Sequence, residues 1–259
     1  NIGTHTVGTD GSVDFFIRHP GWPVFGHAYS TQQPFDGTWH HIAFVQDEGA
    51  RALYVDGVLD DLAIDAKPEG DFLANDTSIG GILRAAASHW VTGLIDDVAI
   101  WSRALSEEEL GQVAASSVGD LIGGGEVDPV AEGLVSHWPL DEIQGTKTPD
   151  IASGYDMDIS NLTSDDVVEG KNGNAFSFSN ERQTLLSRVH APDENLPANK
   201  HESHTVSMWV NVVGEGQTDL RVFSEGNTSD SNPLFNIGTH SGGTDGSVDF
   251  FIRHPGWPV

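Results

Sequence analysis

The sequence predicts an all-β protein, an antiparallel sandwich of two sheets. Short segments rich in aromatic and β-branched residues recur along the 259 residues and are separated by turn residues. An Asp-Gly pair at 56–57 joins two of these segments and supplies the positive φ angles that a two-residue hairpin turn requires. The 30 glycines provide many further turns. Short strands at such spacing are typical of packed antiparallel sheets.

The predicted strands follow one another along the whole chain. The segment 39–45 alternates in hydrophobic character, with Ile42 and Phe44 sharing one face. The hairpin around Asp56-Gly57 comes next. The remaining strands, each a run of β-branched and aromatic residues, are predicted at 12–17, 98–101, 134–138, 175–178, 205–213 and 220–223.

One helix is predicted, beginning after Ser106 and running to about Ala115. Ser106 as N-cap and Glu109 at the third helical position form a capping box, in which each side chain satisfies a backbone amide of the first turn. The acidic residues of this turn also suit the helix dipole. The glycine-rich stretch that follows the helix is predicted to form an inter-domain linker over 119–132.

A long repeat is the second main feature of the chain. Residues 1–24 recur at 236–259 with 22 of 24 positions identical, at a shift of 235 residues. The exceptions are Thr6 against Ser241 and Val7 against Gly242. A solenoid repeat has a period of only about 20–50 residues. Each unit is therefore predicted to be a complete domain in a tandem array.

The repeat predicts that this chain holds parts of two successive domains. Residues 1–118 are the C-terminal part of one repeat, 119–132 the linker, and 133–259 the N-terminal part of the next. Neither part can bury its apolar faces or cover its sheet edges alone. We predict that neighbouring copies complete each other along a filament. The alternative is completion within one chain as a circular permutant, in which case one copy of the repeated segment would have no place in the sheet.

Composition excludes several classes of partner. The chain has 39 acidic and 12 basic residues, a net charge of -27, which repels nucleic acids and anionic lipid surfaces. It has no cysteine, so disulfides, thiolate catalysis and cysteine-ligated zinc are excluded. No apolar run approaches the ~18 residues of a membrane span, and membrane insertion is not expected.

Seven segments, read in the order 133–259 followed by 25–118, share the pattern of one family. They are GLVSHWPLDE at 133–142, DIASGYD at 150–156, GKNGNAFSF at 170–178, TVSMWV at 205–210, GTWHHIA at 37–43, LYVDG at 53–57 and GLIDDVAIWSRALS at 93–106. In these segments the chain resembles the laminin-G-like group of concanavalin A-type jelly rolls. The resemblance implies an antiparallel two-sheet jelly roll with one short C-terminal helix. It also implies an extracellular binding, adhesion or architectural module.

Enzymatic activity is not expected. Glucanases related to this fold carry their catalytic carboxylates on one strand as an alternating E-x-D-x-x-E run, which separates the groups across the scissile bond. The sequence contains no such run. The acidic residues 107–109 belong to the predicted helix cap, and Asp60-Asp61 follows the hairpin.

Calcium is the metal that the resemblance implies, bound where the closing strand approaches the N-terminal segment of the domain. Asp97 is the expected side-chain ligand, with Asp96, Asp141 and Asp150 as companions and backbone carbonyls completing the shell. The alternative is that Asp97 only accepts hydrogen bonds from loop amides.

A glycan site would need an exposed aromatic ring bordered by polar groups. The turn 19–23 holds Trp22 between Pro and Gly residues and includes His19. His27, Tyr29 and Trp90 are predicted to border this ring. The alternative is that Trp22 packs on a neighbouring domain or caps the core.

The sequence therefore predicts a non-enzymatic extracellular structural or adhesive module. It would be a calcium-stabilised bead of a surface fibre, filament or giant adhesin, located outside the cell or on the cell surface, and of bacterial type. Its partners would be neighbouring copies of itself and glycans. The alternative function is a lectin-like carbohydrate-binding module whose affinity is multiplied by repetition.

Overall fold

The computed structural model describes residues 15–17, 27–28, 30–61, 74–123, 129–229, 234–239, 243 and 246–253. Over these residues the chain forms two β-sheets with one shared apolar core, which confirms the predicted all-β sandwich. Among the described residues, no helix combines the length and the apolar character that a membrane span requires.

The first part of the chain supplies seven strands and two helices. The strands are β1 (Phe15–Ile17), β2 (His27–Ala28), β3 (His40–Asp47), β4 (Ala50–Val55), β5 (Val58–Leu59), β6 (Asp76–Ile79) and β7 (Gly93–Trp101). The helices are α1 (Glu107–Ala115) and α2 (Val118–Gly123), and a 3₁₀ turn follows at Pro129–Ala131.

The second part supplies ten strands. They are β8 (Leu134–Trp138), β9 (Lys147–Thr148), β10 (Met157–Ser160), β11 (Val167–Glu169), β12 (Asn174–Phe178), β13 (Leu185–Val189), β14 (His204–Val212), β15 (Arg221–Gly226), β16 (Leu234–Thr239) and β17 (Val248–Arg253). Two 3₁₀ turns lie at Ser164–Asp166 and Ala198–Lys200.

The two sheets draw strands from both parts of the chain. The larger sheet has the order β2-β1-β17-β16-β15-β6-β13-β10-β9. The other has the order β11-β12-β7-β14-β3-β4-β5, with β8 also paired to β7. The predicted hairpin is the β4–β5 pair, and Asp56 and Gly57 both have positive φ angles, 51° and 76°.

Alternation along β14 explains where the core lies. Val206, Met208, Val210 and Val212 point into the space between the sheets and are fully buried there. The opposite face of the same sheet carries a second apolar cluster beneath the helices. That cluster consists of Ala43, Val45, Ala99, Trp101, Leu105, Leu110, Val113, Val118 and Val130.

Helix α1 confirms the capping-box prediction. The Glu109 amide donates to Ser106 Oγ at 3.3 Å, and the Ser106 amide donates to Glu109 Oε2 at 2.8 Å. Leu110 and Val113 are the buried residues of this helix. The stretch predicted as a linker includes packed structure, because Val130 is fully buried and its carbonyl accepts a hydrogen bond from Trp101 Nε1 at 2.7 Å. The repeat boundaries themselves stay a prediction.

The two parts of the chain complete one sandwich. β14 lies between β3 and β7, and β13 and β15 flank β6. The prediction that neighbouring copies complete each other is therefore wrong for these strands, and the circularly permuted alternative describes them. The physical reason is that the two parts are tethered, so each finds its missing edges in the same chain at high local concentration.

The repeated segment occupies an unexpected position. The second copy supplies β17, which pairs with β16 inside the larger sheet. The first copy supplies β1, which lies on the outer side of β17 and pairs with it in parallel. The expectation that one copy would have no place in the sheet is wrong, because β17 still offers a free hydrogen-bonding edge to its own twin.

Candidate functional site

A β-bulge brings Asp96 and Asp97 to the same corner of the molecule. Consecutive strand residues normally point to opposite faces. Here Ser207 pairs with Ala99 and Trp209 with Asp96, so two residues of β7 oppose one residue of β14. Asp97 has a φ of 52°, which redirects its side chain. Both carboxylates consequently reach the turn 170–174 between β11 and β12.

Asp96 is fully buried and holds this turn by its backbone. Its Oδ2 accepts hydrogen bonds from the amides of Lys171 and Asn172, both at 2.8 Å, and its Oδ1 has no hydrogen-bond partner within the described part of the chain. Burial, together with the nearby charges of Asp97 and Asp141, raises the pKa of the Asp96 carboxyl to about 7, and the two amide hydrogen bonds oppose this shift.

Asp97 connects four elements. Its Oδ1 bonds to Nε2 of His137 on β8. Its Oδ2 accepts hydrogen bonds from the amide of Val118 in α2 and from the side-chain amide of Asn172, each at 3.0 Å. The carboxylate therefore ties β7, β8, α2 and the turn 170–174 together.

Asp141 holds the same turn from the other side. Its Oδ1 accepts a hydrogen bond from the Asn174 amide at 2.6 Å, and its carbonyl accepts one from the Asn174 side chain at 3.0 Å. Gly173 has a φ of 73°, and a Cβ there would collide with Asp141 Oδ1. We call Asp96, Asp97 and Asp141, together with the turn 170–174, the carboxylate clamp.

Asp150 lies outside the carboxylate clamp and closes a different turn. Its Oδ1 accepts hydrogen bonds from the amides of His137 at 2.8 Å and Ala152 at 2.9 Å. Its Oδ2 accepts one from the Tyr155 amide at 3.0 Å. Of the four predicted metal ligands, the structure thus brings three to the turn 170–174. Asp150 instead bonds to the backbone of β8, the strand that pairs with β7.

A cavity of about 340 Å³ opens beside the carboxylate clamp. Asp97, Asp120, His137, Asp141 and Asn172 are among the residues that line it. Sequence reasoning missed His137, although it stands in the segment GLVSHWPLDE on which the resemblance partly rests. His137 is 1% exposed, and none of the described residues forms a hydrogen bond with its Nδ1.

The donor set does not fit calcium as it is arranged here. Calcium requires six to eight oxygen ligands, whereas the carboxylates of Asp97 and Asp150 are occupied by N–H donors on both oxygens. In the part of the chain that the structure describes, no three His, Asp or Glu side chains are placed to hold a metal ion together. Calcium at this corner stays a prediction.

The predicted glycan platform falls mostly outside the described residues. His19, Trp22 and Tyr29 all lie there. His27 belongs to β2 and pairs with Phe16. Trp90 is partly buried and forms a bridge with Arg221. The grouping of these residues around Trp22 stays a prediction.

A second cavity, of about 380 Å³, was not predicted. Its lining includes Asn75, His190, Leu196, Pro197 and Asn199. Both polar atoms of the Asn199 side chain are buried and lack a hydrogen-bond partner among the residues that the structure describes. His190 Nε2 bonds to the Thr77 hydroxyl at 2.8 Å, and burial lowers the pKa of His190 to about 4. We call this the Asn199 pocket.

Glu225 supports the Asn199 pocket from the sheet. It is fully buried on β15 and accepts hydrogen bonds from the amides of Ala198 at 2.5 Å and Asn199 at 3.2 Å. Burial raises the pKa of Glu225 to about 8. The sequence offered no motif for this pocket, because its lining comes from three separate parts of the chain and its loop shows only an enrichment in Pro and Asn.

Comparison with protein families gives a match to the first part of the chain. Residues 4–111 match a laminin-G family model described as "Concanavalin A-like lectin/glucanases superfamily". This range contains three of the segments that suggested the resemblance, at 37–43, 53–57 and 93–106. A comparison with curated proteins found no match to the chain.

The shifted pKa values predict an unusual pH dependence of stability. Burial raises the pKa of Asp96 from 3.8 to about 7 and that of Glu225 from 4.5 to about 8, so the folded state binds more protons and stability falls as pH rises through this range. Burial lowers the pKa of His41 and His190 from 6.5 to about 4, so stability rises with pH up to 6.5. Below pH 6.5 the carboxyl groups and the histidines have opposite effects on stability. Above pH 6.5 the effect of the carboxyl groups remains.

We therefore expect the free energy of unfolding to decrease between pH 6.5 and 8, by at most about 1.4 kcal/mol per pH unit for each carboxyl group. Urea denaturation across this range measures the slope. Asp96→Asn and Glu225→Gln should each reduce it, whereas Glu108→Gln, at an exposed position of α1, should leave it unchanged. Equal slopes in all four proteins would contradict the assignment.

Two glycines provide a matched test of the carboxylate clamp. Gly173 and Gly145 have similar φ angles of 73° and 67°, but a Cβ at Gly145 would meet no atom within 4 Å. Gly145→Ala should cost only the left-handed backbone strain, about 1 kcal/mol. Gly173→Ala should cost at least about 1 kcal/mol more, because it displaces the Asp141 carboxylate from the Asn174 amide. Equal losses in thermal or urea denaturation would show that Asp141 does not hold the turn.

Proposed function

We propose that this chain, whose residues 4–111 match a laminin-G family model of the concanavalin A-like superfamily, is a non-enzymatic extracellular module with a structural or adhesive role. Domains of this group fit extracellular adhesive or carbohydrate-binding functions. The observation that carries the proposal is the carboxylate clamp, in which three of the four acidic residues predicted as site residues, Asp96, Asp97 and Asp141, accept hydrogen bonds that hold the fold together.

The carboxylate clamp joins the two parts of the chain. Asp96 and Asp97 come from β7 in the first part, and the turn 170–174 that they hold comes from the second. Lys171 of this turn also places its Nζ 4.4 Å from the ring centroid of Trp209 on β14. These hydrogen bonds supply the cross-link that calcium was predicted to supply.

The same geometry argues against hydrolysis. A glycosidase needs two carboxyl groups that face the substrate, one of them protonated near neutral pH. Asp96 has a suitable pKa of about 7, but its carboxyl group is fully buried and bound to the amides of a turn. Asp97, beside it, is 3% exposed and bound to His137 and Val118.

The charge and the repeat support the cellular setting that we propose. A net charge of -27 keeps the module soluble and away from nucleic acids and anionic membranes. The segment repeated after 235 residues supports an array of such modules on a surface fibre, filament or adhesin of bacterial type, with neighbouring copies as partners.

The Asn199 pocket favours one alternative, a carbohydrate-binding module. Ligand pockets combine apolar walls with a few unpaired polar groups that fix orientation. Leu196 and Pro197 provide such walls, and the Asn199 amide has one acceptor and two donors to which no described protein group is hydrogen-bonded. A sugar with adjacent hydroxyl groups matches this set of donors and acceptors.

A chelator experiment decides the role of calcium. Because N–H donors occupy the carboxylates of Asp97 and Asp150, we expect the melting temperature to be the same in excess calcium and in excess EDTA. Differential scanning calorimetry measures it. A lower melting temperature in EDTA, abolished by Asp97→Asn, would instead establish a calcium site at the clamp.

A binding panel separates the two functions. We expect the chain to bind immobilised copies of itself, to bind no soluble oligosaccharide and to release no reducing sugar from glucan polymers. Biolayer interferometry and a reducing-end assay measure these properties. Oligosaccharide binding that Asn199→Ala removes, and that the exposed-site control Asn180→Ala retains, would overturn the structural role in favour of the lectin-like one. Sugar release would contradict the non-enzymatic assignment.

A further inference from the structure

The two copies of the repeated segment pair with each other, twin against twin. Phe15 is opposite Phe250, Phe16 opposite Phe251 and Ile17 opposite Ile252. Each pair joins residues separated by 235 positions, which is the repeat shift itself. We call the β1–β17 contact the twin seam.

We propose that the outer edge of β16 is an interaction surface for a second copy of this chain, which delivers its own β1 segment in place of β17. This strand exchange is independent of what the module binds and of whether it binds sugars. It names the surface and the segment through which two molecules of the chain associate.

Sequence identity makes the two segments equivalent for β16. β17 pairs with β16 over six residue pairs, from Leu234 opposite Arg253 to Thr239 opposite Val248. The residues of β17 read VDFFIR, and the same six letters occupy positions 13–18. A strand from the first copy therefore presents the same backbone groups and the same side-chain types to β16. The register is also the same, because every residue has its twin.

Only one segment can occupy this edge at a time. The other edge of β16 is filled by β15, so β16 has one free side for two equivalent strands. In the structure the second copy occupies it, and the first copy makes three parallel pairs with β17 and two antiparallel pairs with β2. Parallel pairing is slightly less stable per residue than antiparallel pairing. Of the two interchangeable strands, β1 thus has the less stable pairing within the larger sheet.

Replacing β17 by a β1 segment on β16 would also remove the parallel pairing from the larger sheet. The twin seam is the one parallel contact between the strands of the larger sheet as the structure describes them. A β1 segment seated on β16 would be antiparallel to β16, like β17, and remain antiparallel to β2. The exchange of identical elements between molecules is a low-cost route to association, because the incoming strand can form with β16 the same contacts that β17 forms.

The absence of cysteine from the sequence allows a direct test by disulfide trapping. Ile237 on β16 is opposite Phe250 in the structure, so the double variant I237C/F250C should form a disulfide within one chain. The double variant F15C/F250C reports the twin seam in the same way. Cysteines at 15 and 237 should not bridge in the structure, because β1 and β16 are two strands or about 10 Å apart, beyond disulfide reach.

The decisive experiment mixes two full-length single variants, Phe15→Cys and Ile237→Cys, under mild oxidation. Strand exchange predicts a disulfide-linked heterodimer on non-reducing gels whose yield rises with protein concentration, and mass spectrometry should locate the bond between positions 15 and 237. A control mixture contains Val58→Cys in place of Phe15→Cys and measures the disulfides that form through random collisions. Val58 lies on β5 and is 60% exposed. An unlabelled peptide with the sequence of residues 12–18 should lower the yield of the 15–237 dimer only.

The proposal is overturned if the mixture of Phe15→Cys and Ile237→Cys gives no more dimer than the Val58→Cys control. The double variants I237C/F250C and F15C/F250C check that the introduced thiols are competent, since both should bridge within one chain. A dimer that the peptide does not reduce would also count against exchange, because it would form without the β16 edge.

Discussion

The pairing of β14 with β3 on one side and β7 on the other is the interaction on which the other features depend. β14 comes from the second part of the chain and lies between two strands of the first, so that Thr205 is opposite both Val45 and Trp101. This insertion closes the core through Val206, Met208 and Val210. It also produces the bulge that turns Asp97 towards the turn 170–174. Without the β14 pairing, neither the core nor the carboxylate clamp would exist.

The carboxylate clamp shows how a very acidic protein uses buried acids. Burying a carboxylate is costly unless hydrogen bonds compensate it. Asp97 is compensated by His137, Val118 and Asn172, whereas Asp96 keeps one oxygen without a partner and its pKa is raised to about 7. The contribution of the Asp96 carboxyl group to the free energy of unfolding therefore depends on pH, and this group lies in the contact that joins the two parts of the chain. Hydrogen bonds of this kind make a rigid scaffold, which suits a module that transmits load or presents a surface.

The duplicated segment places a different constraint on the same fold. β16 offers one edge, and the chain contains two nearly identical strands that satisfy it. The structure accommodates both copies as neighbouring strands of one sheet, which pair with each other in parallel. The extra strand thus connects the internal repeat of the sequence to association between molecules.

The sequence by itself determined the features that depend on near neighbours. The hairpin at Asp56-Gly57, the capping box of Ser106 with Glu109 and most of the longer strands follow from residues a few positions apart, because turn and cap geometry is local. The resemblance to laminin-G-like domains likewise rested on short segments. Tertiary structure alone decided that the two parts share one sandwich, that His137 meets Asp97 and that a pocket forms around Asn199. β6, with the polar sequence DTSI, is fully buried for the same reason. These outcomes depend on how strands that are distant in the sequence pair with one another. Several strands can compete for one free edge, and no local sequence pattern decides which of them pairs there.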